Sequence, residues 1–187
     1  MRQLLVFVAL FFSLPAQAAS IDWVPIANPN NTADTLTNCQ AANCGSVDHA
    51  YYIAKYEVTN AQYADLLNAK AAADPLSLFN TAMGSDATFG GITRSGVSGS
   101  YTYTAKLGFE NKPVVYVSFY DALRFSNWLN NGQGSGDTET GAYTLLGGTA
   151  TPSNGPTVAR NGGANTFLTS ENEWYKAAYY SPGGVYF

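Results

Sequence analysis

Three stretches of the chain switch from an extended apolar pattern to helical periodicity, each at a residue suited to cap a helix. Residues 51–58 (Y-Y-I-A-K-Y-E-V) read as a strand, and Thr59 follows with Gln62 three residues on. That pair predicts a capping box, in which each side chain satisfies a free backbone N–H at the other residue. Tyr63, Leu66 and Leu67 then recur at helical spacing, and Asp74-Pro75 ends the run. Residues 111–118 (N-K-P-V-V-Y-V-S) predict a buried strand, followed by a second box at Ser118 and Asp121. Ala122, Leu123, Phe125, Ser126 and Leu129 form its inward stripe with Trp128 beside it, and Asn130-Asn131-Gly132 is a stop. Phe167-Leu168 starts a third buried element. Ser170 and Glu173 supply its box, and Trp174, Ala177 and Ala178 follow at helical spacing.

Between these units the pattern is polar and broken. Residues 20–26 are apolar and β-branched and predict a first strand; residues 28–46 are a turn-rich loop. Residues 78–104 are rich in Gly, Ser and Thr, with alternation at 101–104 that suits a short strand. Residues 132–165 form the longest irregular stretch, with one apolar island at 143–146 that predicts a hairpin. A Pro-Gly-Gly turn and a β-like Val-Tyr-Phe come last. Short strands and two to three well-capped helices among long polar loops indicate an α+β fold, and argue against a doubly wound sheet or a helical bundle.

The first 18 residues follow a different rule. Arg2 precedes an unbroken apolar run at 4–12, Pro15 breaks it, and Ala16-Gln17-Ala18 has the small-x-small form that signal peptidase needs. Residues 1–18 are therefore expected to be a signal peptide, with 19–187 as one exported domain, periplasmic or extracellular. The other reading, a membrane anchor, fits less well, because spanning a bilayer takes about 20 apolar residues.

Composition narrows the function. A net charge of −4 without any Lys/Arg cluster argues against nucleic acid. Thirteen tyrosines and 14% aromatics exclude a disorder signature. Cys39 and Cys44 are the two cysteines. In an oxidising compartment so close a pair suggests a disulfide closing a small loop, with a redox or metal-binding dithiol as the alternative. His49 is the single histidine and has no second soft ligand near it in sequence, which disfavours zinc. It also has no G-x-S-x-G partner. Residues 132–136 are glycine-rich but follow a helix instead of a strand, so they do not suit a phosphate cradle. Asp137 and Glu139 offer oxygens for calcium, yet their spacing matches no calcium loop and a solvated loop is the simpler reading. Glu57 suits a buried partner for Lys55 or Lys112.

Three ordered motifs carry a resemblance. They are Tyr56-Glu57-Val58-Thr59-Asn60-Ala61-Gln62-Tyr63, then Pro113-Val114-Val115-Tyr116-Val117-Ser118-Phe119-Tyr120-Asp121-Ala122 leading to Trp128-Leu129, then Phe167-Leu168-Thr169-Ser170-Glu171-Asn172-Glu173-Trp174-Tyr175-Lys176-Ala177-Ala178. Together they resemble the formylglycine-generating enzyme, or sulfatase-modifying factor, family. The resemblance runs from about Trp23 onward and is closest to an exported bacterial subgroup with a Gly/Thr-rich insert after the second motif. The third motif departs from the family form: Phe167 stands in place of Arg, Ser170 in place of the usual Glu, and Tyr175-Lys176 in place of Glu-Tyr.

The resemblance implies a C-type-lectin-like formylglycine-generating-enzyme fold, expected here to be incomplete at the C-terminus. Active members oxidise a sulfatase cysteine with a copper-binding cysteine pair that lies beyond the third motif, as do the family's calcium ligands. Cys39 and Cys44 precede the first motif and do not correspond to that pair. No catalytic, cofactor or metal residue is therefore assigned, and neither copper nor calcium is expected for this chain. The expected function is a non-catalytic binding or surface module with an unknown protein or carbohydrate ligand. The alternatives are a fragment of a formylglycine-generating oxidase and a small redox protein using Cys39 and Cys44.

Overall fold

The structure is a computed structural model and describes residues 18–35 and 44–187. It is a small α+β arrangement, in which short antiparallel strands pair two by two around helices. β1 (Trp23–Ile26) pairs with β2 (Tyr51–Ala54) in the register Trp23↔Ala54 to Ile26↔Tyr51. β3 (Ile92–Ser95) pairs with β4 (Thr102–Ala105), Ile92↔Ala105 to Ser95↔Thr102. The helices are α1 (Asn60–Lys70), a single turn α2 (Ala82–Ser85), α3 (Phe119–Asn130) and α4 (Glu171–Tyr179). No helix among the described residues is long and apolar enough to cross a membrane.

Each long helix starts at a capping box. The Gln62 amide donates to Thr59 Oγ1 (3.3 Å) while the Thr59 amide donates to Gln62 Oε1 (2.9 Å). At α3 the Asp121 amide donates to Ser118 Oγ (3.2 Å), and the Ser118 amide to Asp121 Oδ2 (3.0 Å). At α4 the Glu173 amide donates to Ser170 Oγ (3.2 Å), and the Ser170 amide to Glu173 Oε2 (2.7 Å). These bonds satisfy N–H groups that helix starts leave without partners.

The main core lies between α1, α3 and the β3–β4 hairpin. Tyr63, Leu66, Leu67, Ile92, Phe125 and Trp128 are buried in it. Asn68 joins α1 to β4: its amide nitrogen donates to the Tyr103 carbonyl and its oxygen accepts the Tyr103 amide, both at 2.8 Å. A second cluster, Leu123 with Ala142, Tyr143 and Leu145, packs the far side of α3 under the long loop. Asn127 ties that loop down, donating to the carbonyls of Thr138 (2.8 Å) and Tyr143 (3.0 Å) and accepting the Tyr143 amide (2.7 Å). Gly132, at φ 80°, turns the chain out of α3.

Several expectations need correction. Residues 111–118 are not a strand. Pro113 makes only an isolated bridge to Thr59 and Tyr116 sits at φ 63°, which breaks extension. β2 ends at Ala54 instead of 58. The island at 143–146 is not a hairpin; Tyr143 forms an isolated bridge with Arg160. Leu168 is exposed, so no buried element starts there. β3 and α2 stand within 78–104, where glycines and polar residues hid them.

Candidate functional site

An apolar groove of about 690 Å³ lies beside the β1–β2 pair. Trp23, Val24 and Ile26 from β1 line it, with the consecutive residues from Tyr52 to Val58. Phe125 and Leu129 of α3 form its floor, and the extended stretch from Asn165 to Thr169 and α4 close the other side. Clefts of this size and lining are the usual form of ligand sites. Its rim holds large apolar side chains in contact with solvent: Trp174 is 51% exposed, Trp23 49% and Tyr52 67%.

The groove is open because α4 is turned over relative to its apolar pattern. Trp174, Ala177 and Ala178 face the groove instead of the core. The buried residues of α4 are Glu173 and Lys176, at 1% and 0% exposure. A buried charge is tolerated only when it is paired and hydrogen-bonded, and Glu173 is both. Arg160 lies 2.9 Å from its Oε1, His49 Nε2 lies 3.1 Å from the same oxygen, and the Ser170 amide occupies Oε2. The Tyr51 hydroxyl donates to the Glu173 carbonyl. Burial pushes the Glu173 carboxyl up, but the Ser170 hydrogen bond and the Arg160 charge outweigh it, and the net shift is below the ordinary 4.5. Lys176 donates to the Asn28 carbonyl (2.8 Å), and burial pulls its pKa down. His49 also meets Asp48 through Nδ1 (2.7 Å). α4 is thus anchored through Glu173 to Arg160 and His49 and through Lys176 to the Asn28 carbonyl, while its apolar face lines the groove.

The capping residues named from the sequence sit at the starts of α1, α3 and α4; Glu173 joins the cluster with Arg160 and His49, and Asp121 lies 3.7 Å from the Arg124 guanidinium. Sequence reasoning missed the inward role of Arg124, Asn127 and Lys176. Arg124 is fully buried and pairs with Glu139 (Nε to Oε1, 2.6 Å). Glu139 is thereby committed, and Asp137 accepts the Thr140 hydroxyl (2.5 Å) and the Glu139 amide (3.1 Å). Glu57 is exposed and forms no ion pair among the described residues, so it is not the buried partner expected for Lys55 or Lys112. Cys44 is buried, and Cys39 lies outside the described residues, as does the segment 1–17. Among the described residues no group of three or more His, Cys, Asp or Glu is placed to hold a metal ion.

Comparison with known proteins adds one finding. The family model for the sulfatase-modifying factor enzyme 1-like domain matches residues 24–186. No curated protein and no solved structure matches the chain. The match takes in β1, β2, all three capped helices and both walls of the groove, and the chain belongs to the sulfatase-modifying factor (formylglycine-generating enzyme-like) family.

Proposed function

We propose that the chain acts after export as a non-catalytic binding or surface-associated module of its family, engaging an apolar partner surface through the groove. The outward apolar face of α4 carries this reading. Covering apolar surface contributes roughly 25 cal/mol per Å², so a groove rimmed by Trp23, Tyr52 and Trp174 favours a partner that removes those rings from water. The apolar lining suits a protein surface better than a carbohydrate. Export belongs to the same proposal, with residues 1–18 removed as a signal and Cys39 bridged to Cys44. Thiol titration of the native protein tests the bridge: no free thiol before reduction is expected, and a readily titrated pair would favour the small redox protein. The function is tested by incubating the purified chain with a sulfatase-derived peptide, copper and oxygen. No formylglycine is expected, and robust formation overturns the reading.

The open groove also supports a second reading, in which it seats further chain of a formylglycine-generating oxidase whose catalytic cysteines follow Phe187. The downstream reading frame separates the two. Continuation into a C-terminal cysteine pair favours the oxidase; continuation without one removes it.

A further inference from the structure

A second cleft, of about 560 Å³, lies away from the groove at the start of α3. Its chemistry is different. One wall is the stretch from Ser77 to Thr81, the other is Ala150 and Thr151, and Phe119 and Tyr120 stand between them. Phe119 is 57% exposed and packs edge-on against Tyr120, with ring centroids 5.6 Å apart. It therefore presents an aromatic face to solvent, beside a ring that is held in place.

The polar groups here are uncommitted. Among the described residues the hydroxyls of Ser77, Thr81 and Thr151 make no side-chain hydrogen bond, while the Tyr120 hydroxyl lies against Gly155, outside the cleft. Asn80 spends its oxygen on the Ala82 amide (2.9 Å) and leaves its amide nitrogen free. Exposed hydroxyls of this kind are ordinary one by one. Three of them on residues lining one cleft beside an exposed aromatic ring fit a polar ligand site.

Both walls are fixed by buried charges that face away from the cleft. Asp74 accepts the amides of Leu78 (2.8 Å) and Phe79 (3.2 Å) and so sets the first wall. Arg124 donates to the carbonyls of Thr149 (2.8 Å) and Ala150 (3.0 Å) and sets the second. Arg124 is fully buried, with Nε taken by Glu139, so it offers no charge to a ligand. Asp121 is the one charged residue lining the cleft, and its Oδ2 is taken by the amide and hydroxyl of Ser118. No lysine or arginine lines the cleft. An anion would find no countercharge and a cation no free carboxylate, so the ligand that fits is neutral, rich in hydroxyls, and has one apolar face to lay on a ring.

We propose that this cleft binds a neutral saccharide, with Phe119 as the stacking platform and the hydroxyls of Ser77, Thr81 and Thr151 reading the sugar hydroxyls. The site is separate from the groove and does not depend on the groove's function.

The test is calorimetric titration of the full chain with maltohexaose, cellohexaose and tetra-N-acetylchitotetraose at millimolar concentration. At least one is expected to bind. Phe119→Ala should weaken that binding about tenfold or more, a loss of about 1.4 kcal/mol, and Thr151→Val should weaken it less. Both variants leave the Ser118–Asp121 capping box in place, and an unchanged melting temperature separates lost binding from lost fold. Trp174→Asp, in the groove, should leave saccharide binding unchanged. Absence of binding by all three sugars, indifference to both cleft variants, or loss with Trp174→Asp would each overturn the proposal.

Discussion

α1 and α4 begin alike and pack in opposite senses. Each starts at a Ser or Thr cap whose partner three residues on closes the box. α1 then buries Tyr63, Ala64, Leu66 and Leu67 against α3 and the β3–β4 hairpin. α4 buries Glu173 and Lys176 and turns Trp174 and Ala178 outward. A cap therefore sets where a helix begins and says little about which face goes in. The inward face is decided by what the rest of the chain offers. α1 meets an apolar hairpin; α4 meets Arg160, His49, Tyr51 and the Asn28 carbonyl.

If this contrast is right, substitutions on the two helices rank in a definite order. Leu66→Ala, at a fully buried position of α1, should cost the most, about 2–5 kcal/mol in chemical denaturation. Glu173→Ala should come second, at about 1–3 kcal/mol, because it leaves buried hydrogen-bond donors without their acceptor. A Glu173→Ala cost above that of Leu66→Ala would break the comparison.

The pH dependence sharpens it. Folding holds the Glu173 carboxyl below its ordinary 4.5, so its stabilisation is complete above that value and is lost as pH falls through the folded value. The stability gap between the parent chain and Glu173→Gln should close on acidification below about pH 4.5, while the gap to Leu66→Ala persists. Ser170→Ala and Thr59→Ala should each cost about 0.5–2 kcal/mol in thermal melting, since both caps make the same bond whatever face is buried. The smallest effect is expected at the outward face of α4, where Trp174→Asp should change stability by no more than about 0.5 kcal/mol.

The parts of the fold legible in the sequence were those set by local chemistry. Thr59, Ser118 and Ser170 marked helix starts because capping needs only a side-chain oxygen and the next few amides. β1 was legible as a strand from its apolar run, but its pairing with β2 was not. What was hidden depended on distant partners. Arg124 reads as a surface residue until Glu139 and the carbonyls of Thr149 and Ala150 are seen around it. Lys176 reads as solvated until Asn28, 148 residues away, supplies its acceptor. Trp174, Ala177 and Ala178 recur at helical spacing, and periodicity alone cannot tell a core-facing stripe from the wall of an open groove. The run at 111–118 looked like a strand by composition, but Pro113 has no amide to donate and Tyr116 takes a left-handed conformation. Of the two clefts, the groove left a trace in the apolar motifs. The cleft at α3 left none, because its lining comes from three separate stretches.

The most direct measurement is titration of the folded chain with the dye ANS, which reports solvent-exposed apolar surface, alongside near-UV circular dichroism. The account predicts saturable dye binding by a chain that keeps its native aromatic signal, and loss of most of that binding in Trp174→Asp with the melting temperature unchanged. A natively packed chain that binds no dye, or binds it as well after Trp174→Asp, would contradict an open groove walled by the apolar face of α4.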